Sequence, residues 1–99
     1  MNIEILNSIK RRNQLKLRYH SFERMVEPYA YGRDKSGDEI LRCYQISGGS
    51  VSGEKEGWKL LKVGEIFQIN SIDIIFEIRK EFKLNDKAMT KIFEQTNIG

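Results

Sequence analysis

Apolar residues in the first segment of the chain, residues 2–12, are spaced as on one face of a helix. Ile5, Leu6 and Ile9 lie on that face, and the positions around them are mostly polar. Glu4 lies in the first turn and three basic residues lie in the last, which suits the helix dipole at both ends. The pattern predicts a short amphipathic helix over residues 2–12.

The apolar period changes from helical to alternating at Leu15. Apolar and polar residues alternate from there to His20, which is typical of a half-buried strand with one basic face. Turn-forming residues separate four further predicted strands, over residues 24–31, 39–47, 58–63 and 66–69. Pro28 indicates that the second strand ends, bends or lies at an edge there, because proline has no N–H to donate.

Residues 48–57 form the longest predicted loop, since four of these ten residues are glycine. Loops of this length in a compact domain often carry function. The loop does not match a phosphate-binding loop, because Glu54 stands where that motif needs lysine. Further along the chain, residues 71–83 give no pattern that can be assigned.

A second helix is predicted near the C-terminus, with Asn85 as its N-cap and Asp86 in its first turn. The residues on its apolar face are Ala88, Met89, Ile92 and Phe93. This closing helix should end near Gln95. The order of helix, five short strands and helix predicts a mainly β (α+β) fold, a small five-stranded antiparallel barrel. A chain of 99 residues suits a single domain over residues 1–99.

The composition is that of an ordinary globular protein, with 39% apolar, 31% charged and 10% aromatic residues. No apolar run approaches the roughly 20 residues that a membrane helix needs. The first residues lack the basic and apolar regions of a secretory signal, so we expect a cytoplasmic protein with no membrane partner. The single cysteine, Cys43, is expected to be a small core residue.

Positive charge is concentrated near the N-terminus, although the net charge is only +3. Five basic residues lie within residues 10–18. Such a density is expected where a protein meets phosphates or other anions. It is equally expected at the solvated end of a helix. Both interpretations stay open at this point.

Residues suited to catalysis or metal binding are scarce in this sequence. His20 is the only histidine, and no spacing of histidine or cysteine matches a zinc site or a catalytic triad. We therefore expect a protein that is not an enzyme and that uses no metal and no cofactor. A stronger signal is the alternation of aromatic residues and cations, as in Arg18-Tyr19, Arg42-Cys43-Tyr44 and Trp58-Lys59. Rings beside cations suit bases and phosphates, although about half of these rings are needed for the core.

Four segments carry a resemblance to a known family. They are Leu17-Arg18-Tyr19, Glu23-Arg24-Met25-Val26-Glu27-Pro28-Tyr29, Leu41-Arg42-Cys43-Tyr44 and Trp58-Lys59-Leu60-Leu61-Lys62-Val63. In this order and spacing they resemble the WYL domain family of bacterial and phage proteins. The resemblance implies a Sm-like, SH3-type β-barrel that acts as a sensor in a regulatory or phage-defence context. It also implies a nucleic acid strand or nucleotide-like ligand, with Tyr19, Arg24, Arg42, Lys59 and Lys62 on the ligand face.

The leading hypothesis from the sequence is a stand-alone, non-enzymatic module that binds a nucleotide or oligonucleotide. Its expected phosphate contacts are Arg18, Arg24, Arg42, Lys59 and Lys62, and its expected stacking residues are Tyr19, Tyr44 and Trp58. The alternative is a protein-interaction or homodimerisation module that uses strand edges or the apolar segment of residues 66–76. An enzyme acting on nucleotides is the third hypothesis.

Overall fold

One helix and six strands make up the regular structure in a computed structural model of the chain, which describes residues 1–97. The elements are α1 (Ile3–Arg11), β1 (Asn13–Tyr19), β2 (Phe22–Arg33), β3 (Glu39–Gly48), β4 (Gly57–Lys62), β5 (Ile66–Ile75) and β6 (Lys91–Gln95). A short 3-10 turn, Val63–Glu65, joins β4 to β5. The five predicted strands are confirmed, but β5 extends to Ile75, whereas the prediction ended at residue 69.

Helix α1 confirms the predicted N-terminal helix. The side-chain oxygen of Asn2 accepts a hydrogen bond from the Ile5 N–H at 3.0 Å and so caps the first turn. Arg12 ends the helix in the left-handed conformation, with φ of 56°. The helix also contacts β5, where the Ser71 N–H donates to the Glu4 carboxylate at 2.9 Å. This contact joins the first turn of α1 to β5.

The strands form an antiparallel sheet with the order β4-β3-β2-β1-β5, and β6 pairs with β2. Strand β2 changes its partner along its length: Val26 is paired with β1, whereas Ala30 is paired with β6. Pro28 lies between these two positions, where the pairing of β2 with β3 also shifts register. The strand therefore neither ends at Pro28, since it continues to Arg33, nor lies at an edge, since β3 pairs with it there, and the proline is accommodated by a shift of register.

The mainly β, antiparallel character of the fold is confirmed, whereas the predicted closing helix over residues 85–95 is wrong. The sheet of six strands is not closed. Asn85 takes the left-handed conformation, with φ of 62°, and the residues after it form a turn in which the Met89 N–H donates to the Asp86 carbonyl. Residues 91–95 then add a strand to β2. That strand satisfies the backbone of β2 beyond the end of β1, which a surface helix would leave unpaired.

Two hydrophobic cores pack against opposite faces of the sheet. On the helix-covered face, α1 packs on aliphatic residues, and the buried members are Ile5, Ile9, Leu15, Leu17, Tyr19, Val26, Tyr31, Leu41, Cys43, Leu61 and Ile66. On the segment-covered face, the irregular residues 76–90 pack on the sheet, and the buried members are Tyr29, Ala30, Ile40, Phe76, Phe82 and Met89. The second core is the more aromatic one.

Candidate functional site

Strands β3 and β4 bring two predicted stacking residues together on the segment-covered face. Tyr44 and Trp58 are direct partners in the ladder, and their rings meet edge to face with centroids 5.3 Å apart. A third ring, Tyr29 of β2, approaches Trp58 at 4.8 Å. Such edge-to-face contacts are favourable arrangements for aromatic rings. The indole is therefore fixed on two sides by neighbouring tyrosines.

The irregular residues 76–90 supply the other wall of a pocket at Trp58. Phe82 lies nearly parallel to Trp58, with an interplanar angle of 27° and centroids 6.4 Å apart. We call the cavity of about 500 Å³ beside these rings the Trp58 pocket. Its lining includes Arg42, Trp58, Glu81, Phe82, Lys83, Asp86 and Lys87.

The charges of the Trp58 pocket are only partly paired. Arg42 donates from Nε to the Asp86 carboxylate at 2.6 Å. Burial alone would raise the pKa of Asp86, but the hydrogen bonds from Arg42 and from the Ala88 N–H outweigh it, so the pKa is lowered. Lys83 and Lys87 are exposed and form no ion pair within residues 1–97. Glu81 is exposed in the same lining and is likewise without an ion pair within residues 1–97, so the pocket keeps two cations and one carboxylate that a ligand can approach.

A buried carboxylate holds the irregular segment onto the sheet. Glu27 of β2 accepts hydrogen bonds from Arg79 Nε at 2.9 Å and from the Tyr29 hydroxyl at 3.1 Å. The Arg79 guanidinium also lies over the Tyr44 ring, 3.6 Å from its centroid. The sequence analysis missed the contributions of Arg79 and Phe82, because residues 71–83 were left unassigned. The apolar residues at positions 76, 78 and 82 were the available sign that this segment is buried.

Three other predicted site residues lie on the opposite side of the sheet. Arg24 is only 3% exposed, and Tyr19 is buried with its hydroxyl accepting the Lys62 N–H at 3.2 Å. Lys59 is paired in the ladder with Cys43, a residue of the helix-covered core, and its Nζ donates to the Glu54 carbonyl at 3.0 Å. None of the three lines the Trp58 pocket.

The last two predicted phosphate contacts are exposed surface residues. Arg18 donates to the Ser21 carbonyl at 3.2 Å, within the turn from β1 to β2. Lys62 forms an exposed ion pair with Asp38 at 3.6 Å. The eight predicted residues therefore do not form one site. Arg42, Tyr44 and Trp58 are brought together, whereas the other five are distributed over the opposite face and the surface.

The single histidine and the single cysteine lie in different surroundings, at the surface and in the core. His20 contacts the Glu65 carboxylate at 2.5 Å on the protein surface. Burial raises the pKa of the Cys43 thiol to about 12, which keeps it protonated at neutral pH. No cluster of three possible metal-ligating side chains occurs within residues 1–97. No helix in this range is long and apolar enough to cross a membrane.

The chain matches no protein-family model, no curated protein and no solved structure. The resemblance to the WYL domain family stays a prediction from the sequence. A function for this chain therefore has to be inferred from its own residues and their geometry, of which the Trp58 pocket is the most developed feature.

Proposed function

We propose that the chain is a non-enzymatic binding module whose ligand combines a flat ring with negative charge, as nucleotides and short nucleic acid strands do. The observation that carries the proposal is the pair of nearly parallel rings, Trp58 and Phe82, in a pocket with two exposed lysines. Such a pocket offers a stacking surface and a charged rim to the same ligand.

The ring of the ligand is expected to stack on Trp58. Stacking of a base on an aromatic side chain is worth about 1–3 kcal/mol and tolerates any base, because every base has a π-face. Tyr29 and Tyr44 hold the indole in place, so little side-chain entropy is lost when a ligand stacks on it. This supports recognition of the ring more than recognition of a base sequence.

The phosphates of the ligand are expected to meet Lys83 and Lys87. Arg42 is the only predicted cation in the pocket, and its guanidinium is already engaged by Asp86. The two lysines line the same pocket from residues 76–90 and are exposed. Because lysine acts as a point charge, we expect binding that is sensitive to salt and loose in geometry.

The proposal is tested by the fluorescence of Trp58, which is the only tryptophan of the chain. We expect quenching on titration with adenosine monophosphate, cyclic dinucleotides, single-stranded DNA or single-stranded RNA at low salt, and weaker binding at high salt. Uncharged adenosine and inorganic phosphate separate the contributions of ring and charge. If none of the charged ligands changes the fluorescence at low salt, the proposal is wrong.

Two variants assign the binding to the pocket. The double variant Lys83→Gln, Lys87→Gln should reduce the slope of log Kd against log salt by about 1 for each lysine that meets a phosphate. Phe82→Leu should weaken binding of the ring at all salt concentrations. Lys35→Gln in the β2–β3 turn and Phe67→Leu on β5 are the matched controls, because both side chains are exposed and lie outside the pocket. Equal losses in the controls would point to nonspecific binding.

The finer description of the fold is proposed together with this function. We propose that the chain is a relative of the Sm-like, SH3-type barrels of WYL domains and acts as a sensor in a regulatory setting. The N-terminal helix and the pairing of β5 with β1 support this. That pairing brings the chain after β4 back to the first strand. The open sheet and the lack of a closing helix are departures from it.

The exposed apolar residues of β5 favour a second candidate function, association with another copy of the chain. β5 ends the main strand order, and Phe67, Ile74 and Ile75 are 64%, 50% and 72% exposed. Exposed edge strands of this kind are ready to pair with another chain. Light scattering coupled to size-exclusion chromatography should show a dimer that persists in high salt and that Ile75→Lys disrupts. A monomer at all concentrations would exclude this candidate.

A further inference from the structure

Arg24 is a buried cation with no carboxylate beside it. Arg24 is only 3% exposed, and it forms no ion pair within residues 1–97. Burial lowers its pKa, and no carboxylate is among the groups that counteract this effect. Charged groups removed from water are normally paired with an opposite charge. The positive charge of Arg24 therefore lacks its usual counterpart.

The hydrogen bonds of Arg24 are also incomplete. Nη1 donates to the side-chain oxygen of Gln45 at 3.3 Å, and Nη2 donates to the Tyr19 carbonyl at 3.1 Å. Both acceptors are neutral. Nε is buried and has no hydrogen-bond partner among residues 1–97. The Nε side of a guanidinium is part of the planar fork that binds carboxylates and phosphates through two parallel bonds.

Gln45 contacts Arg24, and Lys59 lies diagonally across from Gln45 on the same face of the sheet, because Cys43 pairs with Lys59 and Gln45 pairs with Gly57. The loop of residues 49–56 occupies the donors of both side chains. The side-chain amide of Gln45 donates to the Gly49 carbonyl at 3.1 Å. Lys59 Nζ donates to the Glu54 carbonyl at 3.0 Å and contacts Ser50 Oγ at 3.5 Å. Neutral loop oxygens thus take the positions that the oxygens of an anion could take.

We propose that Arg24, Gln45 and Lys59 form a second binding site, for a phosphate-type oxyanion, and that residues 49–56 together with Phe22 cover this site in the unliganded protein. The anion would supply the missing negative charge and an acceptor for Arg24 Nε. It would replace the loop oxygens on Gln45 and Lys59 with charge-assisted bonds, which are stronger. The proposal does not depend on the Trp58 pocket, since none of the three residues lines it.

Phe22 is the movable part of the cover. Its ring lies 5.9 Å from the Arg24 guanidinium and is 38% exposed. It also lies against Gly49 so closely that a Cβ atom on Gly49 would be 2.1 Å from the ring. Turning the Phe22 side chain outward would therefore open a path between the solvent and Arg24 without unfolding a strand.

The unpartnered atom itself provides the readout. In a ¹⁵N–¹H correlation spectrum, the Arg24 Nε–H signal should shift and saturate on titration with inorganic phosphate or sulfate, and sodium chloride at equal ionic strength should leave it in place. A parallel titration with adenosine monophosphate distinguishes free phosphate from a phosphate carried by a larger molecule. No shift at about 50 mM phosphate, well above the millimolar range of a weak site, would overturn the proposal.

Variants separate a binding role from a structural role, with the backbone amides of Gly48 and Gly49 as the common readout. Lys59→Gln should weaken phosphate binding about 10-fold, because a charge-assisted bond is lost. Phe22→Ala should strengthen it several-fold, because the cover is removed, whereas a structural role for Arg24 predicts no gain. Lys35→Gln and Phe67→Ala are the controls for charge and for an exposed ring. Unchanged affinity in both test variants would overturn the proposal.

The result is independent of the test of the proposed function. Phosphate binding at Arg24 is followed by NMR signals on the helix-covered side, whereas ring binding is followed by Trp58 fluorescence on the opposite side. Arg24→Lys gives a further check, because lysine keeps the charge and loses the planar fork. We expect it to weaken phosphate binding about 10-fold while leaving the fluorescence titration unchanged.

Discussion

The two faces of the sheet differ in whether their buried or half-buried arginines are paired with carboxylates. Beside the aromatic core of the segment-covered face, two arginines meet carboxylates: Arg42 binds Asp86, and Arg79 binds Glu27. On the helix-covered side, Arg24 is more deeply buried and has only neutral acceptors. The first arrangement is complete without a ligand. The second is not, although both faces were built from strands with the same mixture of cations and rings.

This difference shows that the number of cations in a region does not measure its capacity for anions. A guanidinium that already has a carboxylate partner offers little to a phosphate, because binding would have to break a charge-assisted bond. The segment-covered face is therefore suited to binding through ring stacking with weak steering by lysines. The other side is suited to a small anion that needs no ring. The following changes test how firmly each face is held.

The largest effect is expected from removing the carboxylate that anchors the irregular segment. Glu27→Ala should lower the free energy of unfolding by about 4 kcal/mol, because it leaves Arg79 and the Tyr29 hydroxyl without their partner. It should also change the fluorescence of Trp58. Urea unfolding measures the loss. Glu23→Ala, which removes an exposed ion pair with Lys16, is the matched control and should cost less than about 1 kcal/mol. Similar losses in both variants would show that Glu27 is not an anchor.

The helix-covered face should respond to loss of packing and leave the opposite face intact. Ile9→Ala should cost about 3 kcal/mol, because Ile9 is 1% exposed in the core beneath α1. Ile3→Ala in the same helix is the control, since Ile3 is 62% exposed. Urea unfolding gives the difference, and the native fluorescence of Trp58 should be the same in both variants. A change of native fluorescence in Ile9→Ala would show that the two faces are coupled.

Each face contains a buried tyrosine whose pKa is raised and whose ionisation should destabilise the fold at high pH. Burial, as the main cause, raises the pKa of Tyr29 and of Tyr31 to about 12. An unfolded chain ionises tyrosine near pH 10, so stability is full below about pH 10 and falls as the pH rises toward about 12. Each tyrosine should account for about 2 kcal/mol of the decrease. Tyr29→Phe and Tyr31→Phe should each remove that part when unfolding is measured across this range. An unchanged alkaline decrease in both variants would contradict the assignment.

The smallest effect is expected at the ion pair of the Trp58 pocket. Asp86→Asn should cost about 1 kcal/mol at neutral pH, the range of one hydrogen bond. Since the folded pKa of Asp86 is lowered, its contribution is present above about pH 4 and is lost as the pH falls through the folded pKa. The difference from the unsubstituted chain should therefore shrink in acid. Asp38→Asn, in an exposed pair, should show little loss at any pH, and an equal loss there would contradict a special role for Asp86.

The strands were predictable from the sequence. The alternation of faces along each strand was not used, however, to decide which candidate residues could share one site. Neighbouring residues on a strand point to opposite faces, so Trp58 and Lys59 cannot both meet one ligand from the same side of a sheet. Arg42 and Tyr44 are two residues apart and do share a face. The alternation of rings and cations that suggested one site is, by this parity, the pattern of two.

Residues 76–95 were beyond prediction for a different reason. The helical spacing of Ala88, Met89 and Ile92 is real, and all three pack in the second core, yet they do so from a turn and a strand. Whether residues 91–95 form a helix or a strand depends on the free edge of β2 beyond Val26, a partner about 60 residues away along the chain. Local propensity carries no information about such a partner.

The hydrogen bond between Glu4 and the Ser71 N–H bears on the tendency of the protein to aggregate. It blocks one backbone donor on β5, a strand that contains five isoleucines and one phenylalanine and carries a single charge, Asp73. Segments of this composition are prone to stack into amyloid-like assemblies once their edges are free. Glu4→Ala would remove that block and leave the buried Ile5 in the core. We therefore expect Glu4→Ala to increase aggregation, measured by light scattering of the folded protein, with little loss in the free energy of unfolding.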